Sequence, residues 1–260
     1  MPIFSRMEAS GERRDAKIAQ IGENNCMRTI LIAVMAGVLL IATATGIAEP
    51  PSGTIQGRVT FAGKAPEKKT IDMSKDPACL KMYTSAPADE TIVSGANDAL
   101  ENVVVFISAG APDDAAPSMP VKIAQRGCRY VPRVVAFQTN QELWVANDDP
   151  TVHNVFAEAR KNPRSNKSQL KGAQPIVEKF SQPEFIPVKC NVHPWMHGTF
   201  AVIRNSHFAV TGESGTFTLP NLPQGKYTVT AWHETLGEQS QQVIITGAET
   251  KSLNFRFGAH

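Results

Sequence analysis

The sequence lacks several features that would assign a function directly. It contains no G-x-S-x-G motif, no phosphate-binding loop and no zincin motif. Beyond residue 48, no long stretch has the 3.6-residue periodicity of an amphipathic helix. An excess of charge of one sign is also missing, since removal of residues 1–48 leaves 21 of the 26 Lys/Arg and 20 of the 24 Asp/Glu. A chain so close to neutral gives no general argument for binding nucleic acid or a membrane surface.

The chain has no apolar run as long as the ~20 residues of a membrane span. The apolar run from Ile30 to Ala42 follows Arg28 and precedes small residues that end at Ala48. This order is typical of a secretory signal peptide, so we expect removal of residues 1–48 and a periplasmic or secreted protein with no membrane association. Met27 is a natural initiator, which would make residues 1–26 an over-extended start. The alternative is an uncleaved anchor.

One short segment combines three kinds of metal-binding side chain. Cys190, His193 and Met196 follow a C-x2-H-x2-M spacing. Thiolate, imidazole and thioether select copper over magnesium or calcium. A blue-copper site needs a second imidazole, and His153 in an upstream segment is a suitable candidate. The alternative interpretation is a core cysteine with the other side chains merely nearby.

The spacing also suits a tight loop around one ion. Pro194 fixes φ directly after His193, and Trp195 would shield the loop and exclude water from the metal. His197 follows Met196 immediately, so a competing imidazole lies beside the axial position. Since adjacent residues of an extended segment point to opposite faces, we expect Met196 to face the metal and His197 to face away.

The two segments resemble the cupredoxin family of blue copper proteins, over roughly residues 118–205. The loop is most similar to that of the amicyanin and plastocyanin type. The resemblance implies a Greek-key β-sandwich with one copper ion held by His153, Cys190, His193 and Met196. It also implies that Asn154 ties the two ligand loops together and that the partner is a redox protein, such as a dehydrogenase.

Cysteine is scarce, with four residues in the whole chain. Cys26 would leave with the signal peptide, and copper would take Cys190. An even pair, Cys79 and Cys128, then remains in an oxidising compartment, which favours a disulfide. The alternative is two buried free thiols.

The pattern beyond residue 48 is that of an all-β protein. Residues 53–61 alternate apolar and polar side chains, whereas 102–108 form a continuous apolar run typical of a buried strand. A short helix within 85–99 is an option. Further strands are predicted at 121–125, 133–138, 142–146, 153–157, 199–204, 211–219, 225–233, 241–246 and 251–257.

The C-terminal region resembles the carboxypeptidase-regulatory-like, or transthyretin-like, β-sandwich. The likeness rests on a G-x-F-x-L strand at Gly215–Leu219 and an L-P-x-G-x-Y-x-V hairpin at Leu222–Val229. We expect a cupredoxin-like copper domain at 53–205 and this smaller sandwich at 206–260. Because about 54 residues are marginal for an independent core, strands from 53–115 are an alternative source of its missing strands.

Two polar features have ordinary interpretations. The basic residues between Arg160 and Lys179 predict a solvated loop between the ligand segments, or a docking patch for an acidic partner. Asp148 and Asp149 precede Pro150 and are interpreted as turn residues.

The leading hypothesis is an exported mononuclear type 1 copper protein that carries single electrons between redox partners, such as a periplasmic dehydrogenase or cytochrome. Because no substrate pocket is needed, we expect no enzymatic activity. One alternative is copper binding or storage with His197 displacing Met196. The other is a cell-envelope interaction module without metal.

Overall fold

The computed structural model describes residues 51–63 and 66–258. The expected signal peptide, with Cys26 and Met27, lies outside the described residues. Strands make up almost all of the regular structure in the described part, which confirms the prediction of an all-β protein. In the same part, no helix is both long and apolar enough to cross a membrane.

The strands fall into two groups according to their pairing. Those of the first and last parts of the described chain are β1 (Gly53–Ala62), β2 (Val104–Ala109), β12 (Phe208–Val210), β13 (Thr216–Leu222), β14 (Gly225–His233), β15 (Gly237–Ile245), β16 (Thr250–Ser252) and β17 (Phe255–Gly258). Those between them are β3 (Val121–Gln125), β4 (Tyr130–Val131), β5 (Val134–Gln138), β6 (Glu142–Asn147), β7 (His153–Ala157), β8 (Ser165–Gln169), β9 (Ile176–Lys179), β10 (Glu184–Lys189) and β11 (His197–Ile203).

The first group forms what we call the terminal sandwich. One sheet has the order β13-β1-β16, with β17 also paired to β1, and the other has the order β12-β2-β14-β15. Ile55 lies opposite Leu219 in the β1–β13 pair, and Val105 lies opposite Ala231 in the β2–β14 pair. These four side chains belong to one buried core. The sequence left two places for the strands of 53–115, either in the copper domain at 53–205 or in the sandwich of 206–260. In the structure, β1 and β2 pair with the C-terminal strands.

The second group forms the central sandwich, with sheets β5-β11-β10-β7-β8 and β4-β3-β6-β9. Three phenylalanines, Phe137, Phe180 and Phe200, meet in its core with ring centroids 6.2–6.5 Å apart. Cys190 and Met196 are buried in the same core cluster. The candidate ligands thus lie at one end of this sandwich and not at its surface.

The two sandwiches pack against each other through a small apolar contact. Phe185 of the central sandwich stacks on Trp232 of the terminal sandwich, with ring centroids 4.1 Å apart. Beside this stack, Arg133 and Glu234 form an ion pair of 2.6 Å whose side chains are 7% and 18% exposed. Because both charges are largely withdrawn from water, each depends on the other for its stabilisation.

The segment expected to be a basic loop contains two strands, so that expectation is wrong in part. β8 pairs with β7, and β9 pairs with β6. β8 has the polar sequence SNKSQ, with only its last residue buried, so hydrophobic alternation could not reveal it. The basic side chains between Arg160 and Lys179 are exposed, and Lys167 pairs with Glu178 at 3.0 Å.

The described residues between β1 and β2 form only short elements. A single helical turn, α1 (Pro77–Leu80), begins after Asp76, whose side chain accepts hydrogen bonds from the first turn. The helix considered for 85–99 is a 3-10 turn at Ala96–Asp98. This connection brings Asp76 and Cys79 to the candidate ligands of the central sandwich.

Candidate metal centre

Strand pairing brings the two ligand segments together. His153 begins β7, and the loop 190–196 joins β10 to β11. β7 and β10 are neighbours, with Lys189 opposite Phe156. Within the loop, the N–H of Cys190 donates to the carbonyl of Met196, and the N–H of Met196 donates to the carbonyl of His193, both at 2.9 Å. These bonds close the loop into the compact turn that the C-x2-H-x2-M spacing requires.

Three of the four predicted ligands converge. The Nδ1 atoms of His153 and His193 lie 3.0 Å apart, and the Cys190 Sγ lies 3.7 Å from the His193 Nδ1. The ligand atoms of all three residues lie within 4.8 Å of one another. All three residues are buried, at 0% (His153), 1% (His193) and 3% (Cys190) exposure. Donor atoms this close together, in residues this deeply buried, could bind one metal ion.

The charge states of the cluster are linked. Burial opposes the charged form of Cys190, but hydrogen bonds from His153 and from backbone N–H groups lower the pKa of its thiol to about 7. Burial likewise disfavours imidazolium at His153, whereas the hydrogen bonds to Asp149 and Cys190 raise the pKa of His153 to about 9. The lowered pKa makes the thiolate, the form in which cysteine binds metals, more accessible at Cys190 than in an ordinary thiol.

A carboxylate engages the outer nitrogen of each histidine. The His153 Nε2 lies 2.8 Å from an Asp149 oxygen, and the His193 Nε2 lies 2.8 Å from an Asp76 oxygen. When Nε2 carries a proton and donates it to a carboxylate, Nδ1 is left free to bind a metal. Both imidazoles are therefore oriented with Nδ1 toward Cys190.

Sequence reasoning missed the role of both carboxylates. Asp149 does lie in the turn before Pro150, as expected, but it also contacts His153 four residues later. The four-residue spacing between Asp149 and His153 is the local sequence pattern that could have indicated this contact. Asp76 lies 117 residues from His193 in the chain, and no local pattern connects them.

Met196 and His197 occupy different environments. Met196 is 1% exposed and lies in the core cluster that contains Cys190. His197 lines a groove together with Arg133 and Glu234, outside the His153–Cys190–His193 group. Burial and the nearby charge of Arg133 lower the pKa of His197 below its usual range.

Asn154 and Trp195 both support the ligand loop. The Asn154 Oδ1 accepts a hydrogen bond from the N–H of Asn191 at 3.3 Å, so the residue after His153 is tied to the residue after Cys190. The Trp195 ring lies 5.2 Å from that of His193, and its Nε1 donates to the carbonyl of Cys128 at 3.2 Å.

Cys79 and Cys128 form a disulfide beside the cluster. The Cys79 Sγ lies 3.4 Å from the His193 Nε2. Cys190 is the one free cysteine within the described residues. The disulfide thus leaves Cys190 as the thiol available to a metal.

The donor set fits a single soft or borderline metal ion. Two imidazole nitrogens and one thiolate face a common point, while carboxylates hold the far sides of both rings. Hard cations such as Mg²⁺ and Ca²⁺ prefer oxygen ligands, and the two nearby carboxylates are already engaged by the histidines. The site is therefore a candidate mononuclear centre for a metal that accepts nitrogen and sulfur ligands.

No protein-family model and no curated protein matches the chain. Among solved structures, amicyanin from Paracoccus versutus is similar to 38% of this chain over 97% of its own length, with 16% identity and a TM-score of 0.30. A purple cupredoxin from Nitrosopumilus maritimus is similar to 32% of this chain over 99% of its own length, with 18% identity and a TM-score of 0.28.

A copper-containing nitrite reductase from Thermus scotoductus is similar to 38% of this chain, with 18% identity and a TM-score of 0.32. This chain spans a quarter of that protein, since the match covers 25% of the reductase. Similarities at this level establish neither a family nor a function for this chain.

Proposed function

We propose that this protein is an exported mononuclear copper protein that carries single electrons between redox partners. One observation carries the proposal: the two Nδ1 atoms and the Cys190 Sγ converge in a buried cluster. Thiolate and imidazole suit both zinc and copper, whereas two imidazoles and one thiolate with a weak thioether are the ligand set of blue-copper sites, in which copper supplies a one-electron couple. Met196 is the proposed axial ligand.

The protein's own residues would keep this centre nearly fixed. Asp149 and Asp76 hold the two imidazole rings by Nε2, and the hydrogen-bonded loop 190–196 holds Cys190. Burial of the three ligands excludes water from their donor atoms. A rigid, dry donor set lets electrons move with little rearrangement of the ligands.

We further propose that the protein is not an enzyme and that its partners are redox proteins, such as a periplasmic dehydrogenase or cytochrome. The three ligands are buried, which suits electron transfer through the protein better than access by a substrate. Export is supported by the apolar run at 30–42 and by the Cys79–Cys128 disulfide, since disulfides persist mainly in oxidising compartments.

The test is to add Cu(II) to the purified protein and record its visible spectrum and copper content. One copper per chain with an intense thiolate-to-copper charge-transfer band, lost in Cys190→Ser while the circular dichroism of the β fold is kept, is the expected result. One bound copper with weak colour would indicate copper binding or storage. If the protein binds no copper, the proposal is wrong and the alternative of a cell-envelope interaction module without metal is favoured.

A further inference from the structure

The outer edge of the cluster is held by residues from two distant parts of the chain. Asp149, four residues before His153, accepts from one imidazole, and Asp76, in the connection between β1 and β2, accepts from the other. Asp149 is 2% exposed. Both contacts measure 2.8 Å, so each ligand ring has one fixed acceptor behind it.

Asp76 is itself oriented by the helical turn that follows it. Its Oδ1 accepts from the N–H groups of Ala78 and Cys79 at 2.8 and 3.3 Å, while its Oδ2 faces His193. An N-cap of this kind fixes the side chain relative to the turn. The position of Asp76 is therefore set by α1, which contains Cys79.

The other half of the disulfide is fixed to Asp149. Cys128 lies in the turn between β3 and β4, and Asp149 accepts from the N–H groups of Gly127 and Cys128, both at 2.7 Å. Gly127 has a φ of +62°, and a Cβ there would lie 2.3 Å from the Tyr83 hydroxyl oxygen. The turn thus needs glycine at this position, and its geometry places both donors on Asp149.

These contacts form a closed ring around the outer side of the site. It runs from His193 to Asp76, through Cys79 and Cys128, to Asp149 and His153, and it closes through the 3.0 Å contact of the two Nδ1 atoms. We propose that Asp76, Asp149 and the disulfide act as one positioning unit that holds both imidazoles for the metal.

This inference rests on the proposed copper function and adds the part played by the chain outside the central sandwich. A carboxylate behind a ligand histidine commonly changes metal affinity about 10–100-fold. The disulfide joins α1, which orients Asp76, covalently to the turn whose Gly127 and Cys128 N–H groups donate to Asp149. Removal of Asp76 or Asp149 is therefore expected to loosen both His193 and His153. The effects of the two removals on copper release are then not independent.

The first test measures release of Cu(I) to excess chelator. Asp76→Ala is expected to speed release about 10–100-fold, because His193 loses its acceptor. Asp72→Ala is the matched control, since Asp72 is exposed in the same segment and its carboxylate accepts from the N–H of the nearby Ser74. A change below about twofold for Asp76→Ala, or an equal change in the control, would overturn the inference.

The second test combines Asp76→Ala with Cys79→Ala/Cys128→Ala. If the residues act as one unit, the combined variant releases copper about as fast as the faster of the two parents. Fold-changes that multiply would show independent contributions and overturn the inference. Should the cysteine variant fail to fold, the same comparison is made with Asp76→Ala and Asp149→Asn, which keep the disulfide.

A third measurement needs no metal. The ¹⁵N shifts of the His193 ring in the metal-free protein are expected to show a protonated Nε2, and Asp76→Ala is expected to change that pattern while Asp72→Ala leaves it. If wild-type protein binds no copper but this difference is seen, the proposed function fails and the positioning contact stands. An unchanged ring pattern in Asp76→Ala contradicts the contact whatever the copper result.

Discussion

The side chain of Asn154 holds the backbone of Asn191, 37 residues later in the chain, with 3.3 Å between the Asn154 Oδ1 and the Asn191 N. Each of these residues follows a candidate ligand, His153 or Cys190. The Asn154 Nδ2 also donates to the Asn166 Oδ1 at 2.8 Å, which fixes the direction of the amide. In addition to the pairing of β7 with β10, this side chain therefore ties together the two segments that carry the ligands.

Replacement of Asn154 by Ala is expected to weaken copper binding without unfolding the protein. The loss of a hydrogen bond that leaves a part-buried N–H unpaired costs about 1 kcal/mol, which corresponds to about fivefold in affinity. The measurement is competition with a copper chelator. Asn191→Ala is the control, because it keeps the backbone N–H that Asn154 accepts. Equal affinities of the two variants would show that the link does not hold the site.

His153→Ala is expected to open a coordination position. The His153 side chain has no exposed surface, so its removal leaves a buried space beside Cys190. Asp149 still accepts from the N–H groups of Gly127 and Cys128. Copper affinity should fall more than about 100-fold, beyond the usual effect of an outer contact. Added imidazole should restore the charge-transfer band, as recorded by titration in the visible region. His207→Ala, in the terminal sandwich, is the control and should bind copper like the wild type.

A spectrum and affinity unchanged by His153→Ala would exclude the site that joins the two segments. A fall in affinity with no recovery on adding imidazole would mean that the space closes and excludes imidazole.

The ligand residues could be predicted from the sequence because their signal is local. Cys190 and His193 lie three residues apart, and the chemistry of thiolate and imidazole points to few metals. The pairing of β7 with β10 then brings His153 to the end of the sheet where Cys190 and His193 lie. The strands predicted at 121–125, 153–157 and 225–233 have the observed bounds.

What could not be predicted depends on contacts between distant residues. Asp76 lies in a segment with no repeated pattern, and its role exists only because α1 is carried to the central sandwich. β8 is polar along most of its length and is held by backbone pairing with β7. Hydrophobic periodicity reports burial of side chains, so it is silent on a strand of this kind.

Glu234→Gln is expected to destabilise the folded protein by about 3 kcal/mol, because it leaves the Arg133 guanidinium unpaired in a largely buried position. Urea unfolding would measure the loss. Asp148→Asn is the control: Asp148 pairs with Arg126 at 2.7 Å, but the two side chains are 37% and 67% exposed. An exposed pair contributes at most about 1 kcal/mol. Similar losses in both variants would show that burial of the Arg133–Glu234 pair is not what matters.

Met196 and its neighbour His197 are the two candidates for the axial position. Met196 is buried with Cys190 in the core of the central sandwich, whereas His197 lines a groove with Arg133 and Glu234. Met196→Gln is therefore expected to shift the visible spectrum and the reduction potential together, because an axial ligand tunes both. His197→Ala should leave both nearly unchanged. Visible spectroscopy and voltammetry of the two copper-loaded variants provide the measurement. If His197→Ala shifts the spectrum and the potential while Met196→Gln does not, the axial position belongs to His197. That result would favour copper binding over electron transfer.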